Sequence, residues 1–312
     1  MATVYKLTTE ADASVKGDME WGPAVTNSID PGIPETQPLC TDAWVHVYES
    51  EAMVHFLNPA HLNLETYHVW EATGTIAKSK NQVIHGVREL TTNSEVALTF
   101  PTPLQRQKFA VLVYQGNVAE PPSALFSATA WLNSTQDPAN TARFINALYQ
   151  PMLDAARVSV SLARQAAEAS HAAAAYVNDA GALNDALYAR RAAGRAENAL
   201  SGSPNWDQVV SSSAEAIERA GLAADAASAA AVGADAVYPL LVRAKNLAAA
   251  AARDIAPAIE SVILIYAAKC TLATDEAQIA LLSARTAVLA GAAAEARGTQ
   301  AGLSGFAAAA MA

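Results

Sequence analysis

The residues able to do chemistry crowd into one stretch, residues 39–71 (LCTDAWVHVYESEAMVHFLNPAHLNLETYHVWE). It holds one cysteine, four histidines, two tryptophans and two tyrosines. With His85, five of the chain's six histidines (His46, His55, His61, His68 and His85) fall within forty residues. Histidines so grouped would ligate a metal or supply a general base. Their spacings match no helix-borne pair of the H-E-x-x-H kind, and no cysteine or acid stands in a ligand-like register. No metal and no cofactor are therefore expected. His46 stands out because it sits in an apolar strand between Trp44 and Tyr48. The plainer reading makes it a core histidine bonded to backbone. Glu71, after Trp70 in a further expected strand, is a carboxylate suited to acid or base work if part-buried, although such a residue more often faces solvent at an edge. Trp21, Trp44, Tyr48 and Trp70 offer rings that would stack a base. Core packing is the preferred reading for all four. Cys40 is expected as a buried structural thiol, since little positive charge lies near it in sequence to make it reactive.

Composition narrows the classes further. The chain of 312 residues carries 20 basic and 30 acidic side chains, a net charge of −10. A chain this acidic, with no basic block, is unsuited to phosphate backbones, so nucleic acid is not an expected partner. The small cluster Arg190, Arg191 and Arg195, close to Glu197, reads as a solvated helix face. Two cysteines in different halves make neither a disulfide framework nor a C-x-x-C site. No G-x-S-x-G, P-loop or G-x-G-x-x-G occurs. The N-terminus shows no apolar signal core, and uninterrupted apolar runs fall short of the roughly 18 residues of a membrane span, so the cytoplasm is the expected location and no membrane an expected partner. Asn133-Ser134-Thr135 is a sequon read here as a loop or cap coincidence.

The elements that must position these residues are short at first and long later. Residues 3–7 alternate as a strand. Residues 8–38, rich in Thr, Asp, Gly and Pro, read as loop, with Trp21-Gly22 as a packing anchor. A short strand is expected at 43–47 and a short helix at 50–57, stopped by Asn58-Pro59. Strands follow at 67–75, 83–90 and 95–99, and 106–113 fits helix or strand. Mixed short elements of this kind make an α+β domain over residues 1–120. A linker or bridging helix at 121–137 leads to an alanine-rich, all-α antiparallel bundle over 138–312. Asp137-Pro138 has the form of a helix start. Breaks are expected near 178–181, 201–204, 233–235, 254–257 and 270–274, and Pro151 would kink or divide the first helix. Alanine favours helix locally yet returns only about 0.8 kcal/mol per buried methyl, against roughly 1.5–3 for a Leu or Ile side chain. Such helices pack closely and gain from covering a further face, so self-association or a protein partner is expected.

The first domain resembles a family on particular residues: the opening VYKL, Trp21-Gly22, and Leu39–Asp42 leading to His46 and Tyr48. They continue through Ala52, Leu57-Asn58-Pro59 with His61, Trp70-Glu71 with Gly74, Gly86 with Leu90-Thr91-Thr92, and Gln105-Arg106 ahead of Phe109-Ala110. It is similar over about residues 3–115 to an uncharacterised N-terminal domain of phage and bacterial proteins, often followed by an alanine-rich helical tail. The chain departs from that pattern at Ala43, where the family usually has glycine, and at Ile84, where it has lysine. The resemblance implies architecture and a phage origin, with no reaction attached.

Three functions follow as expectations. The first is a non-catalytic binding or assembly protein whose N-terminal domain recognises a partner while the helical half oligomerises or acts as scaffold, in the host cytoplasm or the virion. The second is an enzyme. The stretch around His46 and Tyr48 resembles, at the level of fold, the strand–His–Tyr–helix arrangement of ADP-ribosyltransferase-like folds, in which a His and a Tyr hold nicotinamide dinucleotide. That would make His46 and Tyr48 binding residues and Glu71 or Glu89 the acid. The third is a sponge for a small signalling nucleotide, stacked on Trp21, Trp44, Tyr48 and Trp70.

Overall fold

The computed structural model describes residues 2–14, 19–35, 37, 39, 41–118, 138–202, 204–231 and 235–312, and only the backbone of residues 138–148. The expected linker at 121–137, the sequon and Cys40 lie outside the described residues.

Five strands open the chain: β1 (Ala2–Thr9), β2 (Thr26–Ser28), β3 (Val45–Val47), β4 (Tyr67–Lys80) and β5 (Ile84–Glu95). All pair antiparallel. β4 lies between β1 and β5, and the far edge of β5 takes both β2 and β3. Just past β3, Tyr48 and Tyr5 exchange both backbone hydrogen bonds, at 2.8 and 2.9 Å. The sheet therefore curls until its first strand meets the segment leaving β3, which removes the unpaired edge there. Val4, Val45, Val47, Ala72, Val87 and Leu90 fill the inside with Trp21 and Trp70. Gly86 is required on β5, because a Cβ there would press on the Trp44 ring.

Helix α1 (Glu51–His61) starts at Ser50, whose hydroxyl caps the Met53 amide. Asn58-Pro59 does not stop it, contrary to expectation. Proline removes the donor to the carbonyl four residues back, His55, and the Arg106 guanidinium donates to that oxygen instead, at 3.3 Å. The buried Asn58 side chain then ends the turn by bonding both backbone groups of Leu64. The expected strand at 95–99 does not form as a separate element: β5 runs through Glu95. Residues 106–113 belong to a helix, α2 (Pro103–Asn117). It is fixed by a reciprocal capping box between Thr102 and Gln105 with proline in the first turn. Phe56 of α1 and Phe109 of α2 stack with centroids 4.2 Å apart.

The later chain is helical: α3 (Pro138–Val177), α4 (Ala180–Ala199), α5 (Trp206–Ala230), α6 (Tyr238–Leu272), α7 (Glu276–Arg297) and α8 (Leu303–Met311). Breaks fall near 178, 201 and 273, with Asp179, Asn205 and Asp275 as N-caps. The break around Gly233 lies partly outside the described residues. The expected breaks at Pro151 and 254–257 are absent, since α3 and α6 each run through their proline. Around Pro257 the neighbours Ile255, Ala256, Ala258 and Ile259 are all buried. We attribute the unbroken helix to that packing, set against the roughly 3 kcal/mol proline penalty. Helix α7 and the segment Asp235–Leu272 are also long and apolar enough to cross a membrane, with mean hydropathy 1.4 and 1.5. Counting only uninterrupted apolar runs misses this, because alanine-rich windows accumulate hydropathy gradually. Most of each window is buried within the protein.

The compact units do not follow the expected boundaries 1–120 and 138–312. One unit comprises residues 1–140 together with 263–312, and the other residues 141–262. The chain's last fifty residues thus complete the sheet unit, where α7 and α8 pack against α1 and α2. In the unit of residues 141–262 the buried positions are mainly alanines, among them Ala166, Ala167, Ala189, Ala220 and Ala248.

Candidate functional site: a tyrosine–histidine face

Alternation along β3 sends Val45 and Val47 into the core and His46 to the opposite face, where Tyr48 follows two residues on. Tyr48 stands opposite Tyr5, and Tyr5 stands opposite Glu71 on β4. Directly opposed residues share a face, so Tyr48, Tyr5 and Glu71 form a row across three neighbouring segments. His61 joins them from the last turn of α1. Its ring stacks on Tyr48 with centroids 5.9 Å apart, and its Nδ1 lies 3.2 Å from the Tyr48 hydroxyl.

Two ring groups on this face, His61 and Tyr5, are held neutral. Burial, with the nearby His46 and Lys80 charges, pushes His61 down to about 4, so its ring is neutral at pH 7 and the Tyr48 hydroxyl can donate to an unprotonated Nδ1. The Tyr5 phenol is raised by burial and then by the Glu71 and Glu51 carboxylates, which keeps it protonated. The face offers phenol and imidazole hydrogen-bonding groups beside two carboxylates, and His46, Tyr5, His61 and Glu71 are each half-buried. It suits recognition of a polar surface.

The structure brings His46, Tyr48 and Glu71 together and separates them from the tryptophans. Trp21, Trp44 and Trp70 are at most 5 % exposed. Their indole N–H groups donate to Ser14 Oγ at 2.9 Å, the Gln37 carbonyl at 2.9 Å and Asp12 Oδ1 at 3.0 Å. Rings covered in this way cannot stack a base, so these three are withdrawn as ligand-binding candidates; the Tyr48 ring, 4 % exposed, is covered to the same degree and is withdrawn as a base-stacking candidate with them. Glu89 is exposed on β5, opposite Ser28 of β2.

The remaining histidines disperse. His55 is buried against Tyr67, Nδ1 to hydroxyl 2.8 Å, and burial followed by the Arg106 charge lowers it to about 4. His85 is also lowered by burial, against the pull of Glu49 at 3.4 Å. Among the described residues no three His, Cys, Asp or Glu side chains converge as a metal site. Cys270 is buried with its thiol pushed up to about 12, which makes it unreactive.

Two features escape sequence reading. Tyr5 and His61 reach the site only through closure of the sheet and the return of α1. The second feature is Asp12, which adopts a left-handed backbone (φ 52°). Its Oδ1 accepts from Trp70 Nε1 at 3.0 Å and lies 2.7 Å from His68 Nδ1. The hydrogen bond to Asp12 is the main cause raising His68 above its usual value. The pair's contribution is therefore complete below about pH 6.5 and fades as pH rises through the raised folded value. Imidazole proton shifts are expected to place His68 above 6.5, and Asp12→Asn to return it toward the ordinary value. An unchanged titration in the variant would contradict this.

No protein-family model matches the chain, and neither does a curated protein or a solved structure.

Proposed function

We propose that the chain is a non-catalytic binding or assembly protein: the tyrosine–histidine face recognises a partner and the helices of residues 141–262 drive association with other copies or a protein partner. The observation carrying this reading is a set of large apolar side chains left exposed on helices whose buried positions are mostly alanine. Tyr176, Leu187, Tyr188, Leu222, Tyr238 and Val242 are exposed, Tyr176 and Tyr238 by 59 % and 66 %, while larger residues such as Met152, Val160, Leu241 and Ile259 are buried among the alanines. Of the exposed set, Tyr238 and Val242 line one shallow surface cleft, where an interface would bury them. The short connections near Asn178, Ser201 and Ala273 support an antiparallel order of alanine-rich helices. The family resemblance over residues 3–115 supports a phage origin, with action in the host cytoplasm or the virion. The acidic charge argues against nucleic acid as the partner.

A second reading is favoured by one observation, the shared face of His46, Tyr48 and Glu71. In it the face binds nicotinamide dinucleotide, with Glu71 as the acid of an ADP-ribosyl transfer. Native mass spectrometry of freshly purified protein, with and without added dinucleotide, separates the two. Defined multimers or a retained protein partner support assembly. A single 32.4 kDa chain at high concentration, with no partner recovered, counts against it. A dinucleotide adduct lost in a Tyr48→Phe, His46→Ala chain would favour the enzyme.

A further inference from the structure

Asp235, in the short 3-10 turn Asp235–Val237 that leads into α6, and Arg253 within that helix are both exposed. They stand eighteen residues apart, about five helical turns, which returns them to the same side of the rod. Between them the exposed positions change character. The half nearer Asp235 displays Tyr238 and Val242, both lining the surface cleft. The half nearer Arg253 displays Asn246 and Ala249, with Ala250 partly covered. One end of the strip thus carries an acid and bulky side chains, and the other small side chains and a base.

We propose that this strip is an isologous interface, along which α6 of a second copy lies antiparallel, related by a two-fold axis near Ala244. The inference rests on the assembly reading above and gives it a surface and a partner. Such an axis sets each residue against the one equally far beyond Ala244 in the other copy. Asp235 of each copy then meets Arg253 of the other, so the ion pair forms twice. Tyr238 falls on Ala250 and Val242 on Asn246, bulk against small. That fit lets the two axes approach toward the lower end of the roughly 8–10 Å range, and it covers apolar surface that the single chain leaves in water. A parallel copy in the same register would instead put Asp235 on Asp235 and Arg253 on Arg253, which like-charge repulsion disfavours. Arg243 falls on the flank of the strip, where a rim charge stays solvated.

The test reverses each charge separately in the full chain, as Arg253→Asp and as Asp235→Arg, and follows association by sedimentation and native mass spectrometry. The wild-type chain is expected to be dimeric. Each variant alone faces two like-charged contacts and should dimerise at least about tenfold more weakly. Mixed in equal amounts, the two variants should pair with each other at close to wild-type affinity, because every reversed charge now meets its opposite. Recovery on mixing also shows that both variant chains are folded. A wild-type dimer whose affinity neither reversal weakens, or variants that do not recover on mixing, would overturn this interface while leaving the assembly reading in place. A chain that stays single but retains a different protein would do the same. A chain that stays single with no partner would overturn both.

Discussion

A chain ending at residue 275 is expected to lose the tertiary structure of its sheet unit, although every strand of that unit lies before residue 96. Helices α7 and α8 bury Ile279, Leu282, Leu289 and Leu303, each nearly or fully inaccessible. At roughly 1.5–3 kcal/mol per large side chain, their removal withdraws about 6–12 kcal/mol, comparable with the whole stability of a typical domain. Polar ties go with them. Gln105 Nε2 donates to the Met311 carbonyl at 2.9 Å, Asn117 Nδ2 to that of Ala301 at 3.1 Å, and Arg297 to that of Asn117 at 3.0 Å. Near-ultraviolet circular dichroism and tryptophan emission of the truncated chain should report exposed indoles. A sharp urea transition with native emission would show that the sheet stands without the C-terminal helices.

Replacing Gly291 by alanine should destabilise the protein by about 1–3 kcal/mol, the usual range for overpacking. Alanine normally gains up to about 1 kcal/mol over glycine inside a helix. Here a Cβ would fall on the Asn81 carbonyl. Asn81 and Gln82 form the tight β4–β5 turn, both at positive φ, and the turn is held by α7 and the segment after it. The Asn81 amide donates to Glu295 at 2.7 Å, and Gln82 bonds the backbone of Thr299 and Ala301 at 2.6 and 2.7 Å. The turn must therefore lift away or the helix must shift. Gly194→Ala and Gly221→Ala are the controls, since nothing lies within 4 Å of a Cβ at either position. Both should be neutral or slightly stabilising in urea titrations, and a Gly291→Ala chain that behaves like them would contradict the packing described.

Local features of this fold were legible where the cause is local. Alternation exposed β1, a short apolar run exposed β3, three- and four-residue spacing of apolar side chains marked α1, and breaks were legible at 178–181 and 270–274. Prolines misled at Pro59, Pro151 and Pro257. At Pro59 the compensating donor, Arg106, is supplied by another element, which a single-segment pattern cannot reveal. The unit boundary was hidden for a related reason: it falls inside α6, between Val262 and Ile263, where the helical pattern is uninterrupted. The site was half legible. His46 and Tyr48 follow from strand alternation, whereas Tyr5 arrives through pairing with Tyr48, more than forty residues on, and His61 through the return of α1. The three tryptophans were equally conspicuous as letters, yet their burial is decided by long-range packing.

Native-state hydrogen exchange followed by mass spectrometry tests most directly whether the two ends of the chain form one unit. Amides of β4, β5 and α7 should open together, with one free energy and one dependence on denaturant. If α7 instead exchanges with the helices of residues 141–262 while the strands stay protected, the C-terminal helices are not part of the sheet unit.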